Sequence, residues 1–203
     1  MRIALTGGIA CGKSLLANYL NELGVETLDA DDIVHELIPE AERRRIADEI
    51  FRNPAKRKEL EQRIHPLVRA RLADFASRGT GSPQPSDPNS TRSTRSTRLN
   101  SQPSPPNPHL PTIEIIPLLF ECHWEADYDI ILCVSSPRSL QVERMISRRG
   151  YTEEQAESRL AAQLPVEEKA ARSDYVIENN GSAEDLMGEA KKLVAWLKGR
   201  GDG

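Results

Sequence analysis

Strands alternating with helices along the chain predict an α/β fold, a parallel sheet with helices on both faces. Three observations carry that expectation. The apolar run Arg2 to Thr6 stops at Gly7 and Gly8, and a helical pattern starts at Lys13. Two short runs rich in β-branched residues, Ile113-Glu114-Ile115-Ile116 and Ile130-Ile131-Leu132-Cys133-Val134, read as strands buried on both faces. Tyr175-Val176-Ile177 reads as a last strand, and Ser182 with Asp185 opens a C-terminal helix.

Taken in order, the first helix is expected over Lys13 to about Leu23, closed by Gly24 as a C-terminal cap. A second strand, Val25 to Leu28, ends in Asp29-Ala30-Asp31-Asp32, completing a βαβ unit with a right-handed crossover. Residues 33–77 look helical, with Pro54 and Pro66 as punctuation. From Gly79 to Pro111 the composition breaks. Eight of the fourteen prolines fall there, with the triplet repeat Ser90 to Arg98 and only two leucines. Such a stretch buries too little apolar surface to offset its ordering entropy. It reads as a solvated insertion; a basic contact strip of Arg92, Arg95 and Arg98 is the rival reading. A helix follows over Leu140 to Arg149, and Thr152 with Gln155 makes a capping box for the next.

Bulk properties limit the function classes. The chain has 203 residues, enough for one domain with a modest appendage, and its net charge is −4. That acidic balance argues against a nucleic-acid or membrane-surface binder. No apolar run approaches a membrane span, and the first apolar run stops too early for a secretory leader. Cys11, Cys122 and Cys133 form no C-x-x-C pair, so a reducing, cytoplasmic setting is expected without a disulfide framework. A monomer or weak homo-oligomer is expected.

The chemistry starts at Gly7-Gly8-Ile9-Ala10-Cys11-Gly12-Lys13-Ser14, which fits G-x-x-x-x-G-K-[ST] without a mismatch. Glycines let successive backbone N–H groups turn toward one anion. The lysine reaches the β/γ-phosphates, the hydroxyl ligates Mg²⁺, and the helix N-terminus adds positive charge. ATP or GTP binding is therefore expected, in a P-loop NTPase-type three-layer α/β/α core. An Asn-Lys-x-Asp base reader and an Asp-x-x-Gly loop are both lacking, which counts against a guanine switch.

Other candidates stay open on local grounds. Asp31, after the second strand, suits a catalytic base or a magnesium-water ligand; Asp31 or Asp32 equally suits a helix cap. Arg144 and Arg148 share a helix face, either solvated or a lid turned onto phosphates. Glu121-Cys122-His123 is a poor metal site, because adjacent side chains rarely converge on one ion. Cys11 is expected to be acidified by loop amides and a helix N-terminus, the alternative being a quiet buried thiol.

Together these stretches resemble the dephospho-CoA kinase family. The matching segments are L-T-G-G-I-A-C-G-K-S (5–14), D-A-D-D-I-V-H-E-L (29–37), Arg43-Arg44 before I-F (50–51) and L-E-Q-R-I-H-P (60–66). P-L-L-F-E (117–121), Q-V-E-R-M-I-S-R-R (141–149), R-L-A-A-Q (159–163) and D-Y-V-I-E-N-N-G-S (174–182) continue the match. The resemblance implies ATP-dependent phosphorylation of the ribose 3′-hydroxyl of dephospho-CoA, giving coenzyme A and ADP. It implies a nucleotide core and lid over 1–32 and 112–203, and a helical substrate subdomain over 33–78. Residues 79–111 are then an insertion within a single domain.

Residue by residue, the resemblance implies Asp31 as the base, with Lys13 and the lid arginines Arg144 and Arg148 stabilising the transferred phosphoryl group. ATP lies along Gly7, Gly8, Ile9, Ala10, Cys11, Gly12, Lys13, Ser14 and Leu15, with Asn179, Asn180 and Gly181 near the adenine. Mg²⁺ sits on Ser14. Thr6, Asp31, His65, Pro117 and Leu118 line the dephospho-CoA side. Another small-metabolite or nucleoside kinase, and a nucleotide-binding remnant, are the alternatives.

Three features depart from the family pattern. Ala10 and Cys11 replace glycine and serine, which the loop tolerates if Ala10 avoids positive φ. The interval from Leu37 to Arg43 is short, and the low-complexity insertion precedes the P-L-L segment. Nucleotide binding is expected to withstand these changes; affinity for dephospho-CoA is what they put at stake.

Overall fold

The computed structural model describes residues 1–43, 46, 53–78, 107 and 110–201. Most of the low-complexity stretch, including Arg92, Arg95 and Arg98, lies outside the described residues, as do Arg44 and Ile50-Phe51. The elements are β1 (Ile3–Gly7), α1 (Lys13–Glu22), β2 (Thr27–Asp29), α2 (Ala30–Leu37) and α3 (Pro54–Arg78). After the insertion come β3 (Ile113–Ile115), β4 (Ile130–Ser135), α4 (Arg138–Arg149), α5 (Glu153–Ala161), α6 (Val166–Ala171), β5 (Tyr175–Glu178) and α7 (Ala183–Gly201).

The five strands pair in parallel in the order β2-β3-β1-β4-β5. Strand alternation sorts side chains to two faces. Ile3, Leu5, Ile113, Ile130 and Leu132 pack with Leu16 and Leu20 of α1 and Leu186, Leu193 and Val194 of α7. Ala4 and Ile131 face Ile33 of α2 and Val68 and Leu72 of α3. The three layers expected from the sequence are thus present. Glu114 faces that second layer with no exposed surface. Arg2 forks onto its two oxygens (3.1 and 2.8 Å), and the Tyr128 hydroxyl donates to it at 2.6 Å. The paired and hydrogen-bonded charge is what permits an acidic residue inside that strand.

Local signals explain the boundaries. The capping box at α5 is complete: Gln155 N–H donates to Thr152 Oγ1, and Thr152 N–H donates to Gln155 Oε1. Ser182 and Asp185 bond reciprocally at the start of α7. Val25 was expected to begin the second strand, but its N–H closes the end of α1 by donating to Leu20 O at 2.9 Å. The strand therefore begins at Thr27. Pro66 does not punctuate; it lies inside an uninterrupted α3. Proline costs a helix one hydrogen bond, and here the helix is held on both sides of it. Val68 and Leu72 are buried, and His65 stands edge-on to Trp124 with ring centroids 5.0 Å apart.

Candidate active site

β1 lies at the centre of the sheet, with β3 on one side and β4 on the other. Parallel sheets open a crevice at the carboxyl ends of such strands, and the glycine loop occupies that end of β1. Gly7 has φ 143°, and a Cβ there would lie 2.3 Å from the Val134 carbonyl oxygen. Gly12 has φ 96°, and a Cβ there would lie 2.3 Å from Asn179 Nδ2. Both positions therefore exclude a side chain. Gly12 precedes α1, whose first turn has no side-chain cap, so its N-terminal N–H groups stay available to an anion. Lys13 folds back over the loop, donating from Nζ to Gly7 O (2.9 Å) and Gly8 O (2.8 Å). Burial lowers the pKa of its ammonium, which the Lys169 charge lowers further. Ser14 is exposed and Leu15 half-buried at the start of the helix.

Ala10 violates the condition set by its sequence. Its φ is 57°, in the left-handed region that alanine enters at a cost of about 1–2 kcal/mol. Ile9 and Ala10 pack against Met145, Ala156 and Leu160 of α4 and α5, which holds the loop in that conformation. Ala10→Gly is expected to raise stability by about 1 kcal/mol, a rise in Tm of roughly 2–4 °C for a chain of this size, read by calorimetry. Cys11 is not the acidified thiol expected. It has no exposed surface, and burial pushes its pKa up, outweighing the charge of Lys13.

Arg144 also differs from the solvated-face reading. It is 7% exposed. It donates to Ser136 Oγ (2.9 Å), to the Asn179 carbonyl (2.9 Å) and, at 3.4 Å, to the Ala10 carbonyl. Burial lowers its pKa, and the neighbouring charge of Arg148 adds to that. Arg148 itself is exposed. Asn179 is buried, and its Nδ2 donates to the Cys11 carbonyl at 2.8 Å, while Asn180 is exposed. At Gly181 a Cβ would lie 2.4 Å from the Asp185 carboxylate. The loop after β5, the start of α4 and the glycine loop are thus one hydrogen-bonded unit. Sequence reading missed two of its members, Ser136 and Gln141. Gln141 Nε2 donates to the Ser136 carbonyl at 2.9 Å.

The acidic run after β2 separates into two roles. The cap of α2 is Asp29, which accepts from Asp31 N–H at 2.9 Å, rather than Asp31 or Asp32. Burial, with Asp31 and Asp32 nearby, pushes its carboxyl up to about 6 despite that hydrogen bond. Because the folded protein holds this proton more tightly than the unfolded chain, the stabilisation is present at low pH. It is lost as pH rises through about 6. Asp29→Asn keeps the capping oxygen, so it is expected to raise Tm more near pH 8 than near pH 5. Asp31 is exposed and free of capping duty.

On the expected acceptor side, Thr6 is fully buried and donates to the Pro117 carbonyl at 3.3 Å. Pro117 and Leu118 are half-buried. His65 is placed on Trp124, in the α2–α3 layer. Lys169, which the sequence did not single out, has no exposed surface and also donates to the Pro117 carbonyl, at 3.0 Å.

A nucleotide-shaped loop at the sheet centre agrees with what known proteins show. A family model described as dephospho-CoA kinase matches residues 1–42 and 99–185, more than half of the chain. The chain belongs to the dephospho-CoA kinase family. Members phosphorylate dephospho-CoA in coenzyme A biosynthesis, and this chain is accordingly a kinase. The dephospho-CoA kinase of Anaeromyxobacter dehalogenans is 33% identical over 97% of this chain and 92% of its own length. Among solved structures, TT1252 from Thermus thermophilus superposes with a TM-score of 0.69 at 31% identity, covering 97% of each chain. The dephospho-CoA kinase from Campylobacter jejuni gives 0.65 at 22% identity over 98% of each. A shikimate kinase from Bacteroides thetaiotaomicron (TM-score 0.54, 13% identity, 98% of each chain) shares the fold. The two family-model segments leave out residues 43–98, which hold α3 and the triplet repeat.

Proposed function

We propose that this kinase moves the γ-phosphoryl group of ATP to the ribose 3′-hydroxyl of dephospho-CoA, with Asp31 accepting the hydroxyl proton. The observation that carries the reading is the pairing of a side-chain-excluding loop under Lys13 with an uncommitted carboxylate two strands away. Leu5 and Asp29 both align with Ile115, so β2 ends level with Leu5, two residues before β1 ends at Gly7, and both strands run toward the same edge of the sheet. Two strand spacings separate them, about 10 Å. That gap suits a phosphoryl group together with the alcohol that receives it.

Magnesium fits the residues present. Ser14 offers an exposed hydroxyl beside Lys13, and among the described residues no group of three or more His, Cys, Asp or Glu is placed to hold an ion. Such a site suits Mg²⁺ carried largely by phosphate oxygens and water. When bound, the ion offsets negative charge between the β- and γ-phosphates. Lys13 supplies the fixed cation of the loop. Arg144 holds the loop through the Ala10 carbonyl, and exposed Arg148 is the lid arginine left to meet phosphate. On this reading the nucleotide core and lid are drawn from 1–32 and 112–203 and the acceptor side from 33–78, whose α2 and α3 also cover one face of the sheet.

The direct test is incubation of the purified protein with ATP, Mg²⁺ and dephospho-CoA. Mass spectrometry should show an acceptor heavier by one phosphoryl group. Because the family model omits residues 43–98, a panel of other hydroxyl metabolites belongs in the same assay. Phosphorylation of one of those alone would overturn the acceptor assignment.

A further inference from the structure

Lys169 is the one lysine of the described residues that has lost all contact with water. Burying an ammonium is expensive, and a packing role would be served better by leucine or methionine. Its charge is answered by directed bonds instead. Nζ donates to the Pro117 carbonyl at 3.0 Å and pairs with Glu121 Oε1 at 2.7 Å. The same Pro117 carbonyl accepts from Thr6 Oγ1 at 3.3 Å, so both of its lone pairs are engaged from the protein side. The same Glu121 oxygen accepts from Leu164 N–H at 3.1 Å, in the link between α5 and α6. Through its two acceptors this ammonium therefore connects three segments: the strand that feeds the glycine loop, the segment 117–121, and the link between α5 and α6.

We infer that Lys169 is a positioning residue for the acceptor, setting the 117–118 wall at a fixed height over β1 and joining it to the link between α5 and α6. The inference rests on the reading that Pro117 and Leu118 face dephospho-CoA. Thr6 and Lys169 share the work, each holding one side of a single carbonyl. Neither touches the reacting atoms. Their loss should loosen the acceptor wall while the glycine loop, built on Gly7, Gly12 and Asn179, keeps its shape.

The test is steady-state kinetics on Lys169→Met and Thr6→Val, with circular dichroism fixing a temperature at which each is folded. Lys169→Met is expected to raise KM for dephospho-CoA about tenfold, the worth of one carbonyl-anchoring hydrogen bond from a charged donor, and Thr6→Val about threefold, that of a neutral donor, with KM for ATP changed less than about twofold. A merely structural lysine predicts lower Tm and less active enzyme with both KM values unchanged, and that result overturns the inference. Equal rises in the two KM values overturn it as well. Should Lys169→Met fail to fold, Lys169→Met combined with Glu121→Gln removes both charges together, and the same KM split is expected. Failure of the wild-type protein to phosphorylate dephospho-CoA is a separate result. It would sink the acceptor reading and this inference with it.

Discussion

Lys13→Ala is expected to lower kcat/KM for phosphoryl transfer by about a thousandfold or more, with Tm nearly unchanged. A thousandfold is about 4 kcal/mol of transition-state stabilisation, the range in which one preorganised positive group acts on a transferring phosphoryl. The ammonium is already aimed: it is held over Gly7 and Gly8 by hydrogen bonds of 2.9 and 2.8 Å. Burial lowers its pKa. The fold depends on it little. Gly7 and Gly12 set the shape of the loop through close approach to Val134 and Asn179, neither of which involves the lysine side chain. ADP release measured alongside a melting curve checks both halves. A variant that turns over normally would refute the role of the loop cation.

Asp31→Asn should reduce kcat by roughly a hundredfold to ten-thousandfold, the usual span for a positioned general base. Its stability cost should stay within about 0.5 kcal/mol, as for an exposed residue with no structural partner at stake. That separation follows from Asp29, which takes the cap of α2 and leaves Asp31 unencumbered. Asp29→Asn is the matched control: it should move Tm with pH and spare most of the turnover. Near-normal kcat from Asp31→Asn would refute the base assignment.

Much of this was legible because it is local. The glycine loop, all five strands, the Thr152–Gln155 box and the Ser182–Asp185 pair each sit within a few residues of the structure they specify. What escaped was set by distant partners. Arg144 looks like half of a solvated i, i+4 pair, and only the arrival of Ser136, Asn179 and Ala10 buries it. Lys169 reads as one charge in Glu167-Glu168-Lys169 until Pro117 and Glu121 enclose it. Cys11 was judged by its loop amides, whereas its burial decides its pKa. Pro66 read as a stop because local rules cannot see Trp124 beside its helix.

The strand order carries a consequence for synthesis. β3 inserts between β2 and β1, yet it follows both by the whole stretch of residues 30–112. As the chain leaves the ribosome, the two earlier strands cannot pair with each other and must wait with bare edges until Ile113–Ile115 emerges. Such non-local closure is slow and leaves strand edges open to wrong partners. Nascent chains halted before residue 113 should therefore be the species that chaperones hold and proteases clip.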